Sequence, residues 1–291
     1  MFLKPDYDLD SNLGDSTSFP GDTMRIALRV AYDGTAFYGF QRQPGLRTVE
    51  GEIIRVLQKL GIIEDPPTSN FKGASRTDRG VSAFFNVVSF DPVPEKAYLA
   101  KPEVLNYHLK DVWVLGWTEV PDDFHPRFWA KSKTYRYYLV DRGFDPNAMP
   151  ECARLFVGTH DFSAFAKLEP GKEPIREITS VEIIPRSGYY IVEVTGKSFL
   201  WEMVRRIVNS ISLCGLGLLT PEEVSGMLSG RFDRKIPPAP PENLVLWRID
   251  YEGIEFEADE RGVREFKKAV FSRYAHALAR AAFLGDWLIS L

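Results

Sequence analysis

Short stretches with the pattern of β-strands recur along this chain, and they do not alternate regularly with helices. MRIALRVAYD (24–33) alternates apolar and polar residues, as a strand with one buried face does. FFNVVSF (84–90), VWVLGWTEV (112–120), TYRYYLV (134–140), residues 176–184 and 189–196, and NLVLWRID (243–250) also read as strands, 176–184 and 189–196 as a pair. Thr48 can cap a helix to about Gly61 that keeps Val49, Ile53, Val56, Leu57 and Leu60 on one face. Further helices are expected over roughly 96–109, 200–214 and 262–290, with a short one after Thr220-Pro221, where proline suits the first helical position. PPAPPE (237–242) reads as a rigid extended connector. A strict strand–helix–strand rhythm would build a parallel sheet with helices on both faces. Its absence, in two similar-sized parts split near 145, predicts an α+β fold whose halves share a mixed sheet.

With 44% hydrophobic and 26% charged residues, 291 residues hold enough core material for one large domain or two ordinary ones. There is no apolar run of about 18 residues and no basic-then-apolar leader, so neither a membrane span nor a signal peptide is expected, and a cytoplasmic location fits. Cys152 and Cys214 are the two cysteines, far apart and not in a CxxC pair, so a disulfide framework or structural zinc is not expected. Residues 1–23 carry five aspartates against Lys4 and read as a disordered acidic tail. They account for the whole net charge of −4. The neutral remainder can still carry a basic cleft. The expected organisation is this tail, an N-terminal half over 24–145, a C-terminal half over 146–251 and a helical extension over 252–291.

Several stretches with chemical potential can be set aside. TGKSF (195–199) lacks the first glycine of a phosphate loop, because Ile191 stands there. CGLGLL (214–219) lacks the third glycine of a dinucleotide fingerprint and follows a helix. The histidines have no metal-ligand spacing, and neither GxSxG nor HExxH occurs. No metal and no cofactor is expected.

Three stretches stay open. GASRTDRGVSA (73–83) puts Asp78 between Arg76 and Arg79 in a tight bend, with Gly80 allowing close backbone approach. Neighbouring guanidiniums favour the ionised carboxylate, which suits a structural ion pair as well as a catalytic acid. FHPRFWAKSKTYRYYL (124–139) interleaves Arg127, Lys131, Lys133 and Arg136 with Phe128, Trp129, Tyr135, Tyr137 and Tyr138. That mixture suits RNA, and it equally suits a strand with an aromatic core face and a basic solvent face. FLWEMVRRIVNSISLCG (199–215) carries an apolar stripe, with Glu202 and Arg206 spaced for an ordinary surface pair. Arg205 lies at the stripe's edge, either snorkelling past the core or aimed at a carboxylate elsewhere.

Together these stretches resemble the tRNA pseudouridine synthase A family, over about residues 25–251. YDGTAFYGFQRQ (32–43) is similar to the family's YDG…YGWQ opening, and SRTDRGVSA to its catalytic GRTDxGVHA motif, with Ser75, Arg79 and Ser82 as departures. FHPRFWAKSKTYRYYL, GTHDFSAF (158–165) and FLWEMVRRIVNSI resemble three further motifs in order. The resemblance implies a pseudouridine synthase fold: two similar halves on a central mixed, mostly antiparallel sheet with a catalytic cleft between them. It implies isomerisation of uridine to pseudouridine in the anticodon stem-loop of tRNA, without a cofactor, by a homodimer. It makes Asp78 the essential carboxylate, Arg205 its ion-pair partner and Tyr135 a further catalytic residue, the ring that stacks on the flipped-out uracil and assists loss of the C5 proton. It has Arg76 contact or displace RNA. The basic side chains Arg42, Arg127, Lys131 and Lys133 are then expected on the phosphates. A non-catalytic RNA-binding protein on the same fold is the alternative. A nucleoside hydrolase is disfavoured, since it needs a second carboxylate that the neighbourhood of Asp78 in sequence does not supply.

Overall fold

The computed structural model describes residues 25–232 and 234–290; the acidic tail expected over 1–23 lies outside the described residues. The elements in chain order are β1 (Arg25–Tyr32), α1 (Val49–Lys59), β2 (Lys72–Gly73), β3 (Ser82–Phe90), α2 (Pro102–His108), β4 (Val112–Val120) and β5 (Ser132–Val140). They continue with α3 (Ala148–Arg154), β6 (Gly158–Asp161), β7 (Ile175–Arg186), β8 (Tyr189–Gly196), α4 (Met203–Gly215), α5 (Pro221–Leu228), β9 (Leu244–Asp250), β10 (Glu257–Ala258) and α6 (Glu260–Ser290). The strands form one sheet in the order β10-β4-β1-β3-β9-β5-β8-β7-β6, with β2 also on β3. The α+β class and the mixed sheet agree with the sequence.

The sheet is antiparallel except at one junction. There β3 and β9 run parallel, with Ser82 opposite Val245 and Ala83 opposite Leu246. Parallel neighbours begin at the same end of the sheet. The segments entering these two strands, the SRTDRG loop and the proline-rich connector, are therefore brought side by side.

Local chemistry explains most boundaries. Thr48 accepts a hydrogen bond from the Gly51 N–H and starts α1, whose Ile53, Val56 and Leu57 join the core of Leu28, Val30 and Val88. Thr220 and Glu223 form a reciprocal capping box on α5. The single helix expected over 96–109 is two pieces, a 3-10 turn over Pro94–Leu99 and then α2. Pro102 is responsible, since it disfavours helical geometry in the residue before it and opens the second piece. The helix expected from 200 begins at Met203, because Trp201 bridges to Lys167 and Glu202 takes a left-handed φ of 63°. The elements α3, β6 and β10 are too short to show a period.

The helix α6 is anchored only over its first half. Phe266 packs edge-on to Trp113, and Arg273 pairs with Asp33 and Asp111. Beyond that, Tyr274, Leu278, Leu284 and Leu288 are exposed. No helix among the described residues is long and apolar enough to cross a membrane.

Gly34, where β1 ends, shows how tightly the central loops pack. A Cβ there would lie 2.1 Å from the Val81 carbonyl oxygen, and the Gly34 N–H already donates to Ser82 Oγ at 3.0 Å. Gly34→Ala should therefore push the 76–81 loop away from β1. We expect thermal melts to show a loss of about 1–3 kcal/mol, with activity reduced beyond what the loss of folded protein explains.

Candidate active site

The loop carrying Asp78 is held from below by buried polar side chains. Asn86, on β3, donates from Nδ2 to the Ser75 carbonyl at 2.9 Å and to the Tyr32 hydroxyl at 3.2 Å. Its Oδ1 accepts from the Ser75 N–H at 3.2 Å. Tyr32 shares a 2.8 Å hydrogen bond with Thr77 Oγ1, and the Phe40 N–H donates to the Thr77 carbonyl at 3.0 Å. Much of the YDGTAFYGFQ stretch thus serves to shape this loop. Lys133 does the same from β5, donating from Nζ to the Ala74 carbonyl at 2.6 Å.

Asp78 meets its partner from the other half of the chain. Arg205, in the first turns of α4, donates from Nη2 to Asp78 Oδ2 at 3.0 Å. Its side chain is 9% exposed and that of Asp78 25%. Of the two readings of this arginine, the carboxylate partner is the one observed. Arg205 Nη1 donates to the Ala239 carbonyl at 3.1 Å, and the Ala239 N–H donates back to the Arg205 carbonyl. Asn209 holds the Pro237 carbonyl at 2.9 Å, and Arg206 holds that of Ile236. The proline-rich connector is therefore strapped along α4. It reaches Gly80, where φ is +84° and a Cβ would lie 3.2 Å from Pro241 Cγ. Gly80 is required for that turn and approach.

Neither flanking arginine pairs with Asp78. Arg76 is exposed, and the Arg79 guanidinium lies over the Tyr38 ring, 4.4 Å from its centroid. Glu202, read from the sequence as half of a surface pair, belongs to the site. Its side chain is largely buried, with Oε2 at 2.6 Å from Arg206 and Oε1 at 3.4 Å from Arg205. Its spacing of three and four residues to the two arginines was visible in sequence; its burial was not.

Burial raises the pKa of Asp78 above the ordinary aspartate value. The charge and hydrogen bond of Arg205 oppose this, Glu202 adds to it and the Trp201 side chain lowers it again. The carboxylate is thus more basic than one in water, contrary to the lowering that adjacent guanidiniums suggested, because desolvation outweighs the single pair. Tyr135, on β5, is buried edge-on to Phe199. Burial is the main reason its hydroxyl is pushed up to about 12, with a hydrogen bond to Ser75 lowering it and the charge of Asp78 raising it. The hydroxyl therefore keeps its proton at neutral pH.

The expected phosphate contacts divide. Arg42, Arg76 and Arg127 are exposed. Lys131 is exposed and pairs with Glu252 at 2.6 Å. Lys133 is 6% exposed and committed to Ala74. Its burial and the Arg127 charge lower its pKa to about 8. It is not placed to meet RNA, since alternation along β5 turns it inward against the loop. Arg136 stacks on Trp247 and pairs with Glu193. Phe128 is 71% exposed and, with Trp129, Ala130, Lys131, Lys197 and Glu252, lines an open cavity of about 360 Å³. The GTHDFSAF stretch is structural: Phe162 and Phe165 are fully buried, and Asp161 Oδ1 accepts from the Ser163 N–H. No group of side chains among the described residues could hold a metal ion.

A family model described as tRNA pseudouridine synthase matches residues 152–252. The tRNA pseudouridine synthase A of Thermococcus onnurineus (strain NA1) is 71% identical over 268 residues, covering 92% of this chain and 100% of that protein. The protein of that name from Pyrococcus abyssi (strain GE5 / Orsay) is 52% identical over 267 residues, covering 91% and 99%. Among solved structures, the archaeal box H/ACA sRNP Nop10–Cbf5 complex aligns with a TM-score of 0.32 at 12% identity, covering 66% of this chain and 43% of that one. That overlap is too loose to transfer a site or an assembly. The chain belongs to the tRNA pseudouridine synthase A family and is an enzyme of the isomerase class.

The raised pKa of Asp78 makes its contribution to stability depend on pH. A group that binds its proton more tightly when folded contributes stability that is complete below its unfolded value, about 4 for aspartate. That contribution is lost as pH rises through the folded value. At neutral pH the ionised Asp78 therefore opposes folding, and in Asp78→Asn the charge of Arg205 still faces Glu202. Melting curves of Asp78→Asn at pH 7 should give a Tm at or above wild type, with the difference closing as pH falls towards 4. A Tm several degrees lower at pH 7 would identify a structural ion pair instead.

Proposed function

We propose that this chain isomerises uridine to pseudouridine in the anticodon stem-loop of tRNA, as a homodimer, with Asp78 as the carboxylate that acts on the nucleotide. The observation that carries this reading is the Asp78–Arg205 pair, 3.0 Å across the junction of the sheet. The N1–C1′ bond breaks, the uracil turns, C5 bonds to C1′, and the C5 proton leaves. Either action of the carboxylate, attack on C1′ or removal of a sugar proton, needs a basic and fixed oxygen. Burial supplies the basicity, and Arg205 fixes Oδ2.

A uridine in a stem-loop must leave its stack before it can reach such a carboxylate. Tyr135 lies beside the loop and is the ring for the displaced base; because its hydroxyl keeps its proton, it is a packing and hydrogen-bonding group. The exposed Arg42, Arg76, Arg127 and Lys131 are the phosphate contacts. Lys133 holds the loop through the Ala74 carbonyl instead. For the homodimer, support comes from α6, whose exposed Tyr274, Leu278, Leu284 and Leu288 share one helix face.

Glu202 is the second carboxylate a nucleoside hydrolase would require, but Arg206 and Arg205 engage its two oxygens. The test is incubation with a tRNA transcript tritiated at uridine C5. Tritium should appear in water with no free uracil, and the pseudouridines should map to the anticodon stem-loop. Free uracil would mean hydrolysis. Binding without release would leave an RNA-binding protein, and pseudouridine elsewhere would move the target.

A further inference from the structure

We propose that Cys152 and Cys214 form a disulfide that staples α3 to α4, the helix that carries Arg205. Far apart in sequence, the two sulfurs lie 2.8 Å apart. That is closer than two unbonded sulfur atoms rest, and a modest movement brings them to the covalent distance of about 2.05 Å. Both residues sit inside the core, at 0% and 3% exposure.

The approach is built into the backbone. Gly215 follows Cys214, and a Cβ there would lie 2.7 Å from Met149 Cγ and 3.0 Å from Phe144 Cδ1. Only a residue without a side chain lets the two helices come this close. The Asp145 N–H donates to the Gly215 carbonyl at 2.8 Å, which ties the segment leading into α3 to the end of α4.

The oxidant is a small-molecule disulfide of the glutathione class. One cysteine, as thiolate, attacks it and releases the first small thiolate, leaving a mixed disulfide. The second cysteine displaces the other small thiolate. Both cysteine protons end on the released thiols, the two cysteines are oxidised and the small disulfide is reduced. The contact with Cys214, and then burial, raise the Cys152 pKa, and both sulfurs are buried, so the exchange proceeds during folding or local opening of the helix pair. Once closed, the bond is shielded. It fixes the far end of α4 and through it the direction of Arg205.

The test uses the full-length chain, incubated with oxidised glutathione near the onset of melting, then unfolded in N-ethylmaleimide and weighed intact. The expected product is lighter than the reduced chain by two hydrogen atoms and carries no adduct. Its Tm should exceed that of the reduced chain by about 5–10 °C, and Cys214→Ala should show no such shift. If Cys214→Ala does not fold, Cys152→Ser serves as the same control. Two maleimide adducts, a persisting glutathione adduct, or an equal Tm shift in the single-cysteine variant would each overturn the proposal.

Discussion

Asp78 and Arg205 lie 127 residues apart in the chain and 3.0 Å apart in the fold, and the layout of the sheet brings them together. On either side of one junction the sheet, β10-β4-β1-β3 and β9-β5-β8-β7-β6, is paired antiparallel. The one parallel junction, β3 beside β9, fixes which loop ends meet. It sets the segment before β3, with its aspartate, next to the segment before β9, which is strapped to the helix bearing the arginine. A shift of one residue in that register would turn every side chain of one half to the opposite face and separate the pair.

The two members of the pair are held with unequal rigidity. The aspartate loop rests on side chains that exist to support it: Asn86, Tyr32 and Thr77 below, with Lys133 reaching in from the neighbouring strand. The arginine is held by the connector through Ala239 and shares Glu202 with Arg206. The left-handed backbone at Glu202 costs conformational energy, and such strain persists where the surroundings enforce it. Desolvation makes Asp78 basic while one guanidinium keeps it aimed. A carboxylate in that balance is suited to chemistry more than to holding a fold together.

Much of this was legible in sequence. The strand pattern predicted the mixed sheet, and Thr48, Thr220-Pro221 and PPAPPE marked their own boundaries through capping and proline chemistry. The ordered motifs pointed to Asp78, Tyr135 and Arg205. What sequence could not supply was depth. Arg76 and Arg79 flank Asp78 along the chain, yet neither pairs with it; the partner is Arg205, as the motif resemblance implied. Lys133 reads as a phosphate contact from its neighbours Arg127 and Lys131, but strand alternation turns it inward. Glu202 and the two cysteines looked unremarkable because the packing of α4 against α3 and the connector is a tertiary fact without a local period. The break before Pro102 was the one boundary that local chemistry announced and the helical pattern concealed.

A reactive Asp78 carboxylate must do more than pair with Arg205. The most direct test is single-turnover tritium release from C5-labelled tRNA by Asp78→Asn, with tRNA affinity measured on the same preparation. Release should be slowed by at least roughly a thousandfold, with affinity within about tenfold of wild type. Release within tenfold of wild type from the folded variant would contradict a reactive Asp78 and leave the ion pair a structural one.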